Sequence, residues 1–229
     1  MNGRFEKSDV ARVAFEAEYA TQGGASPNDT SVSTAGGAVL LSPSLITTQT
    51  DAEFLWRMAK AEREWHVHRV KAPELPLVVG FSGVRARTGE QIWKVRRFVE
   101  TEARGKGLVE EIGRGVFEAL DALRTGDLGV LGALMDKNHA ILNQLGVGHP
   151  ALEKMVQAAR AVPGTYGAKI TGAGGGGSIV ALASDPEKVA EAIAKAGGKP
   201  FVVAASSRGA EVAPPRAPHY SARAAGAGA

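Results

Sequence analysis

A run of six residues near the C-terminal end of the chain can bind an anionic group without using a side chain. It holds five glycines and reads Gly172, Ala173, Gly174, Gly175, Gly176 and Gly177. Residues 167–171 and 178–183, on either side, are rich in the residue types of β-strands. Glycine adopts positive φ angles without a steric penalty and lets another backbone or a phosphate approach closely. The pattern therefore predicts two strands joined by a loop whose backbone N–H groups can bind an anion at one end of a sheet.

Two familiar nucleotide-binding patterns fit this loop poorly. A Walker-type phosphate loop ends in Gly-Lys-Ser/Thr, whereas residues 176–178 contain no lysine. Gly172, Gly174 and Gly177 match the G-x-G-x-x-G pattern of dinucleotide-binding proteins, but that pattern opens a helix. Residues 179–182 are typical of a strand instead, so a dinucleotide-binding protein stays only as a third alternative.

Two carboxylates, Glu18 and Asp29, lie near the N-terminus. Residues 9–21 are predicted to be helical, because apolar residues recur at the i, i+3, i+4, i+7 spacing of a half-buried helix. Pro, Asn and Asp favour turns in residues 25–30, and residues 31–33 are expected to be extended. Taken singly, Glu18 is explained by a solvated helix face and Asp29 by an Asx turn or a helix cap.

Other polar residues have structural explanations that compete with functional ones. His66 and His68 alternate on one face of a predicted strand, and an exposed basic edge explains them better than a metal site, because no further ligand has a fitting spacing. Arg85 and Arg87 precede a predicted helix, where they are either solvated surface charges or part of an anion site. Asn138 falls on the apolar face of a predicted helix, which indicates a structural hydrogen bond or a role beside a substrate.

The composition is that of an ordinary globular protein, with 44% hydrophobic and 22% charged residues. A net charge of +3 does not indicate nucleic acid and suits a small anionic ligand equally well. The chain has no cysteine, which excludes disulfides and zinc–thiolate sites. No apolar run approaches the length of a membrane span, and no signal peptide is recognised, so a cytoplasmic protein without membrane partners is expected.

Four stretches of the chain resemble the GHMP small-molecule kinases, and within them the mevalonate kinases. KITGAGGGGSIVAL, residues 169–182, resembles the third signature motif of the family. EYATQGGASPNDTSVSTAGG, residues 18–37, resembles the segment that carries the family's acidic residues, although Pro27 stands where glycine is usual. LPLVVGFSGVRARTGE and LMDKNHAILNQLGVGHPALEKM, residues 75–90 and 134–155, are also similar. The resemblance covers roughly residues 8–212.

The resemblance implies an α+β fold of the GHMP kinase type, with a ferredoxin-like α/β sandwich as the C-terminal domain. The order of predicted elements from residue 75 onward independently favours this α+β sandwich. We expect a remnant of the N-terminal domain at residues 1–41, a helical connector at 42–74, the C-terminal domain at 75–212 and a disordered tail at 213–229.

The function implied by the resemblance is ATP- and Mg²⁺-dependent phosphorylation of the hydroxyl group of mevalonate. By resemblance, Asp29 is the catalytic residue, Glu18 is the Mg²⁺ ligand, and residues 172–177 bind the phosphates of ATP. Alternatives are another GHMP kinase, acting on phosphomevalonate or a sugar, and a non-catalytic binding module with this fold. Members of the family have an upstream half with a second phosphate-binding loop. A longer natural protein, a second polypeptide that supplies this half and a degenerate fragment are therefore all open. A homodimer also stays open.

Overall fold

The computed structural model describes residues 6–22, 24–47 and 52–211. The predicted disordered tail, 213–229, lies outside them. In chain order the described elements are α1 (Lys7–Gln22), α2 (Asn28–Ala35), β1 (Ala38–Ser42), β2 (Ala52–Lys60), β3 (Arg63–Val70), β4 (Leu77–Phe81), α3 (Thr88–Thr101), α4 (Ala103–Thr125), α5 (Leu128–Gln144), α6 (Pro150–Arg160), β5 (Thr165–Thr171), β6 (Ser178–Ala183), α7 (Pro186–Lys195) and β7 (Lys199–Val203). None of the described helices is both long enough and apolar enough to cross a membrane. Helices and antiparallel sheets share one chain, which confirms the predicted α+β class.

The N-terminal sheet has three antiparallel strands in the order β1-β3-β2, and α1 packs against it. Phe15 of α1 is buried against Trp56, Met58 and Val67 of the sheet. Buried and exposed side chains alternate here along β2, since Arg57 is exposed and its neighbours Trp56 and Met58 are buried. This alternation is expected for a strand that packs one of its faces against a core.

The helical connector predicted at residues 42–74 is wrong, because this segment contains β2 and β3. Pairing with β3 shifts register between Phe54 and Trp56, so Leu55 is an extra residue in the strand. Such a bulge breaks the alternation of period two that would have identified a strand from the sequence. The apolar residues Phe54, Leu55 and Met58 then have a spacing that is also compatible with one face of a helix.

The C-terminal sheet has four antiparallel strands in the order β5-β6-β4-β7. The predicted strands on both sides of the glycine-rich run are β5 and β6, paired from Thr165↔Ala183 to Thr171↔Ser178. Helices α6 and α7 cover one face of this sheet, and the core between them is fully buried at Leu152, Val156 and Ile179. This is the helix-backed antiparallel sheet that the sequence predicted.

Helix α5 covers the free edge of β5 at backbone contact distance. A Cβ placed on Gly132 of α5 would collide with the carbonyl of Tyr166, and a Cβ on Gly167 would collide with the carbonyl of Gly132. Only glycine at these two positions allows the helix to approach so closely. The edge of the sheet is therefore covered by a helix instead of being left open to another strand.

Side chains satisfy all the outward backbone groups of Ala168 and Ile170 on this covered edge. Asp136 accepts a hydrogen bond from the Ala168 N–H (2.8 Å), and Arg160 donates to the Ala168 carbonyl (2.8 Å). His139 Nδ1 accepts from the Ile170 N–H (3.4 Å), and Lys169 Nζ donates to the Ile170 carbonyl (2.8 Å). A buried backbone group without a partner costs free energy, so these bonds fix α5 in place along β5.

We predict that Asp136→Ala lowers the free energy of unfolding by about 2–4 kcal/mol, because it leaves the Ala168 N–H and the Arg160 guanidinium without their shared acceptor. Urea unfolding followed by circular dichroism measures the change. The control is Asp121→Ala, which removes a carboxylate from an exposed ion pair with Arg124 and should cost less than about 0.5 kcal/mol. Equal losses in the two variants would contradict this account of the edge.

Candidate functional site

The two carboxylates predicted as site residues come from neighbouring helices. Glu18 lies in the second half of α1, and Asp29 lies in the first turn of α2. The prediction that residues 31–33 are extended is wrong, because they belong to α2. Asp29 is exposed, and the Asn28 amide nitrogen lies 3.4 Å from its Oδ1. A carboxylate at a helix N-terminus is favoured by the helix dipole.

Pro27 directly precedes α2 and does not distort the turn that carries Asp29. Its φ is −76°, which lies within the range fixed by the proline ring. Its carbonyl accepts the first helical hydrogen bond, from the N–H of Ser31 at 3.0 Å. Glycine is therefore not needed here to place the carboxylate.

The structure brings Glu18 and Asp29 within electrostatic reach of each other. Burial, and next the negative charge of Asp29, raise the pKa of Glu18 above its ordinary value. The Oε2 atom of Glu18 is buried and has no hydrogen-bond partner among the described residues. Two acids that repel each other, one with an unsatisfied oxygen, form a site that a cation would stabilise.

A cavity of about 750 Å³ lies at the start of α2, and neither Glu18 nor Asp29 is among its lining residues. Its lining includes Asn28, the neighbour of Asp29, together with Arg63 and Trp65 of β3. The remaining lining residues are Ser26, Leu41, Ser42, Pro43, Glu62 and Glu64. A cavity of this size with polar walls can hold a small polar molecule at the start of α2.

The loop formed by residues 172–177 has five glycines with φ between +69° and +153°. Side chains could not replace several of them. A Cβ on Gly174 would collide with the carbonyl of Val147, a Cβ on Gly175 would lie 2.6 Å from the Gln91 side chain, and a Cβ on Gly176 would lie 2.8 Å from the Val84 carbonyl. The loop is thus held between the segments after β4 and α5 and the first turn of α3, so it is not a flexible linker.

Two N–H groups of this loop are already used inside the protein. Gly175 donates to the Val147 carbonyl (2.7 Å) and Gly177 donates to the Val84 carbonyl (2.8 Å). The N–H groups of Gly172, Ala173, Gly174 and Gly176 have no backbone acceptor among the described residues. Any anion that binds the loop would therefore use this second set.

A polar cluster around the buried His139 was missed by reasoning from the sequence. His139 of α5 is 2% exposed; its Nε2 lies 2.9 Å from Glu153 Oε2 of α6, and the Asn143 amide also donates to that oxygen (3.2 Å). The hydrogen bond with His139 is the main cause that lowers the pKa of Glu153. Because His139 Nδ1 accepts from the N–H of Ile170, its proton lies on Nε2. The only signal in the sequence was the resemblance of residues 134–155, which does not say which residues touch.

The other candidate residues are not brought to the carboxylate pair. His66 and His68 lie on the central strand β3, so the exposed basic edge predicted for them is wrong; His68 is fully buried. Burial, and next the neighbouring His66, lower the pKa of His68. Arg85 and Arg87 are exposed, and Arg87 pairs with Glu90 (3.3 Å). Among the described residues no group of three or more His, Asp or Glu side chains could hold a metal ion.

Comparison with known proteins places this geometry among small-molecule kinases. Residues 119–202 match the family described as GHMP kinases C terminal. The chain is 34% identical over 213 residues to the mevalonate kinase of Pyrococcus furiosus, covering 90% of this chain and 57% of the relative. It is 36% identical over 129 residues to human galactokinase, covering 55% of this chain and 33% of that protein.

A solved structure agrees with these sequence matches. The crystal structure of L. major mevalonate kinase in complex with R-mevalonate superposes with a TM-score of 0.70 at 27% identity, covering 90% of this chain and 60% of that one. The chain thus spans a little over half the length of its relatives. The fold that the sequence predicted is confirmed.

We predict that Gly174→Ala lowers the free energy of unfolding by about 2–4 kcal/mol, because its methyl group would displace the Val147 carbonyl that holds the loop. Gly172→Ala is the matched control. It has the same φ of +78° but meets no atom within 4 Å, so only the backbone strain of about 1 kcal/mol applies. Thermal and urea unfolding measure both, and similar losses in the two variants would contradict the packing role of Gly174.

We predict that Asp29→Asn lowers the pKa of Glu18 toward its ordinary range without restoring it, because burial is the larger cause of the shift and remains. A carbon-detected NMR titration of the Glu18 side chain measures this. Asp9→Asn removes a carboxylate from the same helix at a distance of about 13 Å, beyond a Debye length of about 10 Å at 0.1 M salt. The Asp9→Asn substitution should leave the pKa of Glu18 unchanged. If the pKa of Glu18 is the same in Asp29→Asn as in the unaltered protein, the pairing of the two acids is refuted.

Proposed function

We propose that this chain takes part in the transfer of the γ-phosphoryl group of ATP to the hydroxyl group of mevalonate. Its residues 119–202 match the C-terminal domain of the GHMP kinase family. The choice of substrate is supported by the mevalonate kinase of Pyrococcus furiosus, whose similarity extends over 90% of the chain. It is supported further by the likeness to a mevalonate kinase solved with R-mevalonate.

The observation that carries the proposal is the pairing of Glu18 with Asp29. The motif that contains them resembles the acidic segment of the mevalonate kinases, and the fold places the two carboxylates close enough for Asp29 to raise the pKa of Glu18. Like charges held together cost free energy, so a pair that serves no cation would be a net loss for folding. Phosphoryl transfer depends mainly on positioning and on neutralising charge, which is what such a pair can supply.

In this proposal Asp29 acts on the hydroxyl group that is phosphorylated. Its exposed carboxylate accepts the proton of the substrate hydroxyl as that oxygen forms a bond to the γ-phosphorus of ATP and the bond to the ADP oxygen breaks. The cavity beside Asn28 offers room for a substrate of the size of mevalonate, and Arg63 in its lining offers a cation for a carboxylate.

Glu18 fits the role of a Mg²⁺ ligand. Its buried Oε2 has no hydrogen-bond partner among the described residues, and a carboxylate oxygen is a ligand that Mg²⁺ prefers. When bound, the ion would neutralise phosphate charge during transfer. Glu18 supplies one carboxylate, and Mg²⁺ commonly completes its shell with water and substrate phosphates.

The glycine-rich loop fits the binding of a phosphate group. It leaves the N–H groups of Gly172, Ala173, Gly174 and Gly176 without a backbone acceptor among the described residues, although Gly174 and Gly176 are themselves buried. Contacts with Val84 and Val147 hold the loop in one shape, so it needs little reorganisation to receive an anion. In this proposal, residues 172–177 therefore bind the phosphate groups of ATP.

Phosphorylation of a sugar is the second candidate, favoured by the similarity to human galactokinase. A non-catalytic module with the same fold is the third. The substrate that is phosphorylated distinguishes a sugar kinase from a mevalonate kinase. Loss of turnover on substitution of Asp29 distinguishes either enzyme from a non-catalytic module.

We predict mevalonate-dependent formation of ADP by the purified chain with ATP and Mg²⁺, and a decrease of about 10²–10⁴-fold in kcat for Asp29→Asn, which keeps the shape but not the basicity of the side chain. Glu18→Gln should raise the Mg²⁺ concentration needed for half-maximal rate. Asp9→Asn is the control on the same helix and should behave as the unaltered protein.

Galactose in place of mevalonate, with ³¹P NMR of the product, separates the two kinase candidates. Turnover of galactose but not mevalonate would replace the proposed substrate. An unaltered rate in Asp29→Asn would contradict the catalytic proposal. A folded chain without turnover on either substrate would indicate that the upstream half with the second phosphate-binding loop is required.

A further inference from the structure

A second cavity, of about 210 Å³, lies between α4, α5 and β5, lined by none of the residues assigned to phosphoryl transfer. It will be called the helical cavity. Its walls are mostly aliphatic and include Ile112, Val116, Ala119, Leu131, Leu134, Met135 and Ile141. An apolar cavity of about 150 Å³ in an engineered protein stays dry and binds benzene. The helical cavity therefore has room for a hydrocarbon group of about that size or slightly larger.

One cation faces this apolar space. Lys169 of β5 lines the helical cavity, and its Nζ donates one hydrogen bond, to the Ile170 carbonyl at 2.8 Å. An ammonium group has three donor hydrogens, and the other two have no protein acceptor among the described residues. Burial lowers the pKa of Lys169, which shows that the protein around it stabilises the charge poorly. An anion in the cavity would supply the missing acceptor and the missing charge.

On the solvent side of the helical cavity, one acidic and one basic side chain neutralise each other. Glu111 of α4 and Lys137 of α5 form an ion pair at 3.1 Å, and both also line the cavity. Since Lys137 already has a carboxylate partner, Lys169 is the cation left without one among the described lining residues. Asn138 adds an amide that can donate to a second oxygen. One uncompensated positive charge matches a monoanion, whereas a phosphate dianion would bring a buried charge without a partner.

We propose that the helical cavity is a binding site for a small amphipathic carboxylate, with the hydrocarbon part among the aliphatic walls and the carboxylate on Lys169. This inference is independent of the kinase activity, because it assigns a ligand to residues outside the proposed catalytic site. The site adjoins β5, the strand that leads into the glycine-rich loop.

Calorimetric titration of the chain with hexanoate, 1-hexanol and hexylammonium tests the site without ATP. We expect saturable one-to-one binding of hexanoate and no binding of hexylammonium. Lys169→Met should weaken hexanoate by about tenfold or more, the size of a charge-assisted hydrogen bond, and should change 1-hexanol by less than about twofold. Unchanged hexanoate affinity in Lys169→Met would overturn the assignment of the anion site.

A pair of glycines on α4 provides a test that does not disturb Lys169. Gly115 lines the helical cavity and Gly113 does not, and a Cβ on either residue meets no atom within 4 Å. Leucine at either position also favours the helix over glycine, so both variants should fold. Gly115→Leu should fill the cavity and abolish binding of hexanoate and 1-hexanol, and Gly113→Leu should bind as the unaltered chain does. No saturable binding of hexanoate by the unaltered chain, or binding that survives Gly115→Leu, would refute the proposal.

Discussion

The free edge of β5 is the constraint on which the C-terminal part of the molecule depends. Its outward N–H and C=O groups need partners, and no fifth strand supplies them in the described part of the chain. Helix α5 supplies Asp136 and His139 instead, while α6 supplies Arg160. Since these bonds require backbone contact, the helix and the strand both carry glycine where they meet. The edge thereby fixes the positions of two helices and protects the strand from pairing with another chain.

The glycine-rich loop takes its position from this same edge. Ile170, held by His139, lies two residues before Gly172, and α5 continues into the segment whose Val147 carbonyl binds the loop. The Ile170 N–H and Glu153 hold the buried His139 in one tautomer, and the Asn143 amide donates to the same Glu153 oxygen, so a polar cluster fixes the strand end that leads into the loop. Rigidity of the loop therefore depends on packing from several elements and not on its own composition.

The carboxylates of Glu18 and Asp29 belong to a second unit, built on the N-terminal sheet. Two backbone hydrogen bonds connect this unit with the segment after β7: the N–H of Gly37 donates to the Ser206 carbonyl (2.7 Å), and the N–H of Ala210 donates to the Thr34 carbonyl (3.0 Å). They act on the end of α2, the helix that carries Asp29. Asp29, one member of the repulsive pair of acids, thus lies on a helix whose other end is fixed by these bonds, while Glu18 lies on α1.

The sequence by itself determined the local structures whose signals lie within a few residues. The glycine-rich turn between β5 and β6 follows from residue types and short spacings, whereas Glu18 and Asp29 became candidates through the resemblance of residues 18–37 to the GHMP kinases. The strand β2 was mistaken for helix because a bulge at Leu55 removes the alternation, whereas the alternation that predicted a strand at His66 and His68 was correct for β3. Only the tertiary structure decided that His139 lies under the loop, that Lys169 faces an apolar cavity, and that Asp29 shifts the pKa of Glu18. Those facts depend on distances between groups far apart in the chain, and such distances are set by packing, which no local pattern encodes.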